Sequence, residues 1–156
     1  MSLRVGIGVD AHAFTEGVPL VLGGVRFDSP RGLAGHSDGD VITHALIDAV
    51  LGAAGLGDIG SLFPSDGSTP QGISSLDLLQ DAVAQVREAG YSVVNADCVL
   101  IGEEPRIAAR RGELDQTLTN LVGAPVSVRA TTTDRLGFTG RGEGLAAHAV
   151  ALVERA

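Results

Sequence analysis

Two kinds of apolar spacing alternate along the chain, and this alternation limits the fold to one that combines β-strands with α-helices. Apolar residues recur at every second position in LRVGIGVDAHAF, which predicts a strand over residues 3–14. The run PLVLGGVRF predicts a hairpin that turns at Gly23 and Gly24. Further strands are predicted over residues 91–102 and 125–133.

Helical spacing separates these strands. It predicts helices over residues 36–56, 76–90 and 106–123. In the first of them, Ser37 or Asp38 is expected to cap the N-terminus. Residues 55–75 are rich in Gly, Ser, Pro and Asp, which predicts a long loop of the kind that often carries function. The spacing over residues 144–156 fits a helix or a strand equally well.

The chain has 156 residues without a repeat or a linker, so we expect a single domain over residues 1–156. Its hydrophobic content of 44%, with few aromatic residues, predicts a core of small aliphatic side chains. No stretch approaches the roughly 18 apolar residues that cross a membrane, and the first residues do not resemble a signal peptide. We therefore expect a soluble, cytoplasmic protein without a membrane partner.

Charge and residue content exclude several classes of function. The net charge of −8 opposes binding to nucleic acid through a basic face. All eleven basic residues are Arg, which excludes a Walker A lysine and a lysine Schiff base. Cys98 is the single cysteine, so the chain forms neither an internal disulfide nor a cysteine-built zinc finger. Any metal ion must be held by His and carboxylate side chains.

The first candidate site is a metal centre. Asp10 and His12 lie two residues apart in a predicted strand, so their side chains point to the same side. With His44 from the following helix they form an Asp-His-His set, which leaves the fourth position of a zinc ion open. Asp40 and Asp48 flank His44 by one helical turn and either could orient its imidazole. Solvated or purely structural polar residues remain an alternative for the whole set.

The second candidate site is the segment TTTDRLGFTGRGEG, residues 131–144. Its glycine spacing does not match a dinucleotide-binding fingerprint. Backbone N–H groups beside Thr hydroxyls and Arg141 suit phosphate oxygens instead. Asp134 fits such a site when a hard cation such as Mg²⁺ bridges it to the phosphates. A simple tight turn is the alternative.

Three motifs in this order resemble the 2-C-methyl-D-erythritol 2,4-cyclodiphosphate synthase family: DAH, HSDGDVITHALIDAVLGAAGLGDIGSLFP and ATTTDRLGFTGRGEG. The resemblance runs from Arg4 to the last predicted strand. It implies an α+β fold with a mixed four-stranded main sheet, helices packed on one face, a strand in place of the ambiguous tail, and a homotrimer with a site at each subunit interface. It also implies a lyase of the non-mevalonate isoprenoid pathway, which converts 4-diphosphocytidyl-2-C-methyl-D-erythritol 2-phosphate to the cyclic diphosphate with release of CMP.

The resemblance also implies a metal ion on each side of the substrate. Asp10, His12 and His44 bind Zn²⁺, one ion per subunit. Asp134 takes the position of the acidic residue that binds Mg²⁺ or Mn²⁺ together with the substrate diphosphate. The other implied partners are the cytidyl diphosphate substrate itself and, in a central channel of the trimer, an isoprenoid diphosphate.

Roles for single residues follow from the same resemblance. His36 and Thr132 are the implied catalytic residues, and Phe138 and Arg141 correspond to positions at the channel. The segment GEEPRI is expected to form the cytosine pocket. The full set of implied substrate-binding residues is Asp10, His12, His36, Ser37, Asp58, Ile59, Gly60, Phe63, Gly102, Pro105, Thr131, Thr132, Thr133, Asp134, Phe138 and Arg141.

One stretch departs from the family pattern. Ser65, Gly67 and Gln71 stand where many members have two acidic residues and a lysine, so we assign no substrate contact to them. Two other functions use the same residues: a zinc-dependent nucleotide phosphohydrolase, and a non-catalytic protein that binds an isoprenoid diphosphate. The hydrolase would consume water and form no cyclic product, and the binding protein would have a fourth protein ligand on its zinc.

Overall fold

The computed structural model describes residues 1–155, and its elements follow the predicted alternation. The strands are β1 (Ser2–Glu16), β2 (Leu20–Leu22), β3 (Val25–Phe27), β4 (Arg31–Leu33), β5 (Tyr91–Ile101), β6 (Val126–Thr131) and β7 (Gly144–Arg155). The helices are α1 (Val41–Ala54), α2 (Ile59–Leu62), α3 (Ser75–Glu88), α4 (Arg111–Val122) and α5 (Gly137–Gly140), with a turn of 3₁₀ helix, Ala108–Arg110, before α4. Among residues 1–155 no helix has the length and apolar character needed to cross a membrane.

Five strands form one mixed sheet in the order β4-β1-β7-β5-β6, and β2 and β3 form a separate hairpin. Only β5 and β6 run parallel, and the long pair β1 and β7 is antiparallel. The predicted number of four strands is wrong, because β4 joins the edge of the sheet beside the end of β1. With three residues, β4 is too short for a periodic pattern to reveal it. The tail forms a strand, as the resemblance implied.

Small residues bring α1 very close to the centre of the sheet. A Cβ atom at Gly6 would lie 2.1 Å from the carbonyl oxygen of Ala49, and one at Gly8 would lie 1.8 Å from that of Ala45. On β7 the residues that face the helices include Ala147 and other buried alanines. The close contact of β1 with α1 is what places metal-ligating residues of these two elements side by side.

The opposite face of the sheet carries apolar residues without a helix over them. From Val5 to Ala13, exposed positions of β1 alternate with more buried ones, and the large exposed apolar residues are Leu3, Val5, Ile7 and Val9, with Val150 on the neighbouring strand β7. The helices α1, α3 and α4 cover the first face of the sheet, the one that carries Gly6 and Gly8, and the buried core lies between them and the sheet. Helices on one face of the sheet, as expected, thus leave an apolar second face exposed.

The start of α1 differs from the prediction. Its N-cap is Asp40, not Ser37 or Asp38. The buried carboxylate of Asp40 accepts hydrogen bonds from the backbone N–H groups of Gly23, at 2.8 Å, and Gly24, at 2.7 Å, and so it also holds the hairpin turn. Tertiary contact with that turn decided which acidic residue caps the helix. The predicted loop over residues 55–75 contains the single helical turn α2, which begins in a capping box of Asp58 and Ser61.

Candidate metal centre and active-site pocket

Asp10, His12 and His44 converge where β1 passes the first turn of α1. The Oδ2 atom of Asp10 lies 2.7 Å from Nε2 of His12 and 3.2 Å from Nδ1 of His44, and the two nitrogens are 3.2 Å apart. A tetrahedral ion with bonds of about 2.0–2.1 Å holds its ligand atoms about 3.3 Å apart. One carboxylate and two imidazoles at this spacing therefore fit a zinc ion with one open position.

The surroundings orient His12 and keep Asp10 ionised. Nδ1 of His12 donates to the carbonyl oxygen of Ala34 at 2.7 Å, which leaves Nε2 facing Asp10. Burial by itself raises the pKa of Asp10, but its short contacts with His12 and His44 and the electrostatic interaction with the two rings bring it down to about 2. The hydrogen bond to Asp10 in turn raises the pKa of His12. Asp10 is thus an ionised ligand at neutral pH.

Neither acidic residue expected to orient His44 does so. The carboxylate of Asp40 is engaged by the hairpin turn and by Thr43, and that of Asp48 accepts from the backbone N–H of Ile59 at 2.7 Å. The Nε2 atom of His44 instead contacts two hydroxyl groups, of Ser37 at 2.9 Å and of Ser75 at 2.8 Å. Ser75 is a site residue that sequence analysis missed, because nothing in its helical pattern points toward α1.

The three ligands lie at one wall of a cavity of about 180 Å³. Of the other predicted residues, His36, Ser37, Ile59, Gly60 and Phe63 line it, and Asp58 sits next to them as the N-cap of α2. The cavity is also lined by residues that were not predicted: Ser65, Thr69, Ile73 and Leu78. Ser65 and Thr69 belong to the stretch that departs from the family pattern.

Thr69 shows how that stretch is held over the cavity. The Nε2 atom of His36 donates to the carbonyl oxygen of Thr69 at 2.6 Å, and the backbone N–H of Gly72 donates to the carbonyl oxygen of His36 at 2.7 Å. Since the first bond ends on a backbone atom, no side-chain pattern could have predicted it. The segment around His36 and the loop after α2 therefore form one wall of the pocket.

A second group of predicted residues lies at the ends of β5 and β6. The parallel strands pair Ile101 with Thr131, and the backbone N–H of Gly102 donates to the carbonyl oxygen of Thr131 at 3.1 Å. The chain then turns sharply, with positive φ angles at Asp134 and Arg135. This arrangement brings together Gly102, Thr131, Thr132, Thr133 and Asp134 at one end of the sheet, whereas Pro105 lines a different cavity with Phe14 and Arg31.

The two groups of residues do not meet within one chain. None of the residues at the ends of β5 and β6 lines the cavity beside the metal ligands. The strands β7 and β5 lie between β1, which carries Asp10 and His12, and β6, which leads to Thr132. Phe138 and Arg141 are likewise away from that cavity, and the guanidinium group of Arg141 pairs with Glu143 at 2.9 Å.

Comparison with known proteins identifies the family. Residues 3–154 match the model of the YgbB family. The chain belongs to the YgbB family. A relative from Cutibacterium acnes, a 2-C-methyl-D-erythritol 2,4-cyclodiphosphate synthase, is 51% identical over 156 residues, which cover 99% of this chain and 93% of the relative. The family resemblance that the three motifs indicated is confirmed.

Solved structures of similar proteins share the fold of this chain. The bifunctional IspDF from Campylobacter jejuni matches with a TM-score of 0.95 and 37% identity, over 99% of this chain and 43% of the larger one. A 2C-methyl-D-erythritol-2,4-cyclodiphosphate synthase in its CDP-bound form matches with a TM-score of 0.87 and 37% identity, over 97% of this chain and all of that one, 100%. The predicted α+β fold is confirmed, apart from the strand count.

Proposed function

We propose that this chain is a 2-C-methyl-D-erythritol 2,4-cyclodiphosphate synthase that acts in isoprenoid precursor biosynthesis. It converts 4-diphosphocytidyl-2-C-methyl-D-erythritol 2-phosphate to the cyclic 2,4-diphosphate and releases CMP. The observation that carries the proposal is the Asp10, His12 and His44 cluster, which opens onto the pocket of His36 and Ser37 in a chain of the YgbB family. The whole of residues 1–156 forms the synthase domain, and it acts in the cytoplasm.

The reaction joins two anionic groups of one molecule. An oxygen of the 2-phosphate attacks the nearer phosphorus of the diphosphate, and the bond to the CMP oxygen breaks. Two unit charges about 4 Å apart repel by roughly 1 kcal/mol in water and about 4 kcal/mol at a surface-like dielectric. Because the nucleophile is already ionised near neutral pH, the protein needs little acid–base chemistry. Its main tasks are to orient the two groups and to keep water away from the diphosphate.

The metal side of the site is the Asp10, His12 and His44 cluster, which would hold Zn²⁺, while Asp134 would hold Mg²⁺ or Mn²⁺ with the substrate phosphates. When bound, these ions supply the positive charge that lowers the phosphate repulsion and stabilises the leaving CMP. The net charge of −8 makes such local cations necessary for an anionic substrate. The carboxylate donors suit both ions, since Mg²⁺ prefers oxygen ligands and zinc accepts a mixed set.

The chain's own side chains bind the parts of the substrate. His36 positions and stabilises the diphosphate, and the hydroxyl group of Ser37 donates to it; both residues line the cavity. Asp58, Ile59 and Gly60 hold the methylerythritol hydroxyls at the start of α2, and Phe63 packs beside them. The loop held by Thr69 covers this part of the pocket, and it limits access of water to the diphosphate.

The nucleotide side consists of the residues at the ends of β5 and β6. Gly102 and Pro105 contact the cytosine, and Thr131 and Thr133 contact the phosphates beside Asp134. The hydroxyl group of Thr132 supports the transition state. Support for grouping Gly102 with Thr131 and the residues after it comes from the pairing of β5 with β6, which sets Gly102 beside Thr131.

A homotrimer with its sites between subunits would complete each site. Two features support this assembly. The metal side and the nucleotide side are separated within one chain, and the sheet exposes an apolar face on which Val5 is 68% and Ile7 66% exposed. Exposed apolar faces of this kind mark protein contacts. Phe138 and Arg141 would then line a central channel that accepts an isoprenoid diphosphate.

Phosphorus NMR of the purified protein with the cytidyl substrate tests the proposal. We expect the cyclic diphosphate and CMP in equal amounts, with loss of both after removal of metal ions. Methylerythritol phosphates without a cyclic product would indicate the zinc-dependent phosphohydrolase instead. No turnover, together with a bound isoprenoid diphosphate and a fourth protein ligand on the zinc, would indicate the non-catalytic binding protein instead.

A further inference from the structure

Two hydroxyl groups lie within hydrogen-bond distance of the same nitrogen of His44. Nε2 is 2.8 Å from Oγ of Ser75 and 2.9 Å from Oγ of Ser37. Ser75 is the first residue of α3 and is fully buried, whereas Ser37 belongs to the segment before α1 and lines the cavity. A neutral imidazole has one N–H hydrogen, on either Nδ1 or Nε2. The tautomer of His44 therefore depends on whether Nε2 donates a hydrogen bond to these hydroxyl groups or accepts one from them.

The contacts of Ser75 with Asp38 settle the direction of these hydrogen bonds. The carboxylate of Asp38 accepts from the hydroxyl group of Ser75 through Oδ1 and from its backbone N–H through Oδ2, at 3.0 Å. An ionised carboxylate can only accept, so the single hydroxyl hydrogen of Ser75 is committed to Asp38. Only lone pairs of Oγ remain to face His44, and Nε2 of His44 must therefore be the donor.

The direction of the Nε2 hydrogen bond also determines the protonation of Nδ1, the other ring nitrogen of His44. With its hydrogen on Nε2, His44 presents an unprotonated Nδ1 to Asp10 and His12, which lie 3.2 Å away. That is the tautomer in which an imidazole binds a metal ion through Nδ1. Ser37 is then not needed as the acceptor of Nε2.

We propose that Ser75, held by Asp38, is a positioning residue that fixes His44 in its metal-binding tautomer and leaves the hydroxyl group of Ser37 free for the substrate. The proposal rests on the zinc site of the proposed function. It assigns distinct roles to two serines that touch the same atom. Partners of this kind on metal-bound histidines typically contribute about 10–100-fold to metal affinity.

The local structure allows the hydroxyl group to be tested without removing the helix start. Ser74, the N-cap of α3, makes no side-chain capping bond, and Asp38 accepts the N–H of Ser75 in its place. Ser75→Ala keeps that backbone bond and removes only the hydroxyl group. Asp38→Ala would remove the support of α3 as well and is a poorer test.

The experiment compares Ser75→Ala with Ser37→Ala in the full chain. Zinc dissociation constants are measured by competition with a chromophoric chelator, and folding is followed by circular dichroism. We expect Ser75→Ala to weaken zinc binding about tenfold or more, and Ser37→Ala to weaken it less than threefold. The visible spectrum of the Co²⁺-substituted protein should change in Ser75→Ala, because the His44 ring is no longer held, and stay as in the parent for Ser37→Ala.

The outcomes separate this inference from the proposed function. A parent protein that binds no zinc contradicts the metal site itself. A parent that binds zinc and cyclises, with a Ser75→Ala variant of equal zinc affinity and unchanged Co²⁺ spectrum, overturns the role of Ser75 alone. If Ser37→Ala weakens zinc binding more than Ser75→Ala does, Ser37 is the acceptor of the Nε2 hydrogen, and the role of Ser75 is likewise overturned. If Ser75→Ala does not fold, Asp38→Asn supplies the same test, because its amide can donate to Ser75 and so favour the wrong tautomer.

Discussion

Asp10 shows, at the scale of one residue, why the candidate site is more than a polar strand end. A carboxylate that is only 24% exposed would ordinarily titrate high, but two imidazoles lower the pKa of Asp10 to about 2. An ionised carboxylate between two histidines is a ready metal ligand. A solvated polar cluster would have no such arrangement of nitrogen and oxygen atoms around one point.

The first prediction removes one ligand at a time. His44→Ala or Asp10→Asn should abolish activity and most zinc binding, because two ligands hold a zinc ion far more weakly than three. Both proteins should stay folded, since the core does not depend on the polar ends of these side chains. Metal analysis by atomic emission, with circular dichroism on the same samples, checks the prediction. Full zinc occupancy in both variants would refute the ligand assignment.

The second prediction concerns Arg141, which lies apart from the metal cavity. Its ion pair with Glu143 is exposed, so Arg141→Ala should leave stability and zinc content nearly unchanged. The variant should bind farnesyl diphosphate about tenfold more weakly, because a charge-assisted hydrogen bond to the diphosphate contributes roughly 1.5–3 kcal/mol. Titration calorimetry measures this affinity. Equal affinity in parent and variant, or no binding by the parent, would refute the channel role.

At the scale of elements, the contact between β1 and α1 determines whether a site forms at all. Gly8 lies in β1 two residues before Asp10, and its Cα faces the carbonyl oxygen of Ala45, the residue after His44. The glycine thus permits the close approach that joins the ligands of the two elements. Because a strand residue with a side chain would hold α1 away, the glycines of β1 serve the metal site as well as the core.

The third prediction tests this close approach. Gly8→Ala would place Cβ 1.8 Å from the carbonyl oxygen of Ala45, so β1 and α1 must separate. We expect a loss of stability of about 3 kcal/mol or more, within the range of severe core overpacking, together with loss of zinc binding. Gly112→Ala is the control, because Gly112 lies in α4 with no atom within 4 Å of its added Cβ. If urea denaturation gives Gly8→Ala and Gly112→Ala the same free energy of unfolding, the packing argument is contradicted.

The same elements show what sequence could and could not predict. Periodicity predicted β1, α1 and the shared side of Asp10 and His12, because a repeating pattern reports which face of an element is buried. The grouping of these two residues with His44 came from their residue types and from the family resemblance. It predicted neither the cap Asp40 nor the role of Ser75, since both depend on contacts with distant elements. The contact of Thr69 with the site runs through a backbone carbonyl, which carries no sequence signal.

At the scale of the whole molecule, one face of the sheet exposes large apolar side chains to solvent. Leu3, Val5, Ile7 and Val9 are each more than half exposed, at 58%, 68%, 66% and 55%. The same sheet carries the metal side near one edge and the nucleotide side at the other. Association of three copies through the apolar face would remove that surface from water and could bring the edge of one chain to the opposite edge of the next.

The fourth prediction tests whether sites are shared in this way. His12→Ala chains, inactive on the metal side, are unfolded and refolded together with Thr132→Ala chains, inactive on the nucleotide side. In a closed ring of three, every mixed trimer has one interface with both halves intact. Random mixing of equal amounts makes about three-quarters of the trimers mixed, so roughly a quarter of all sites should recover activity.

Each variant refolded alone is the control and should recover nothing, since every interface then lacks the same half. Native mass spectrometry must show mixed trimers in the active sample, which excludes failure of subunit exchange as the reason for a negative result. If mixed trimers are present and activity does not exceed the average of the two parents, each site lies within one chain. The separation of Thr132 from the Asp10 cavity would then require a movement of the chain itself rather than a neighbouring subunit.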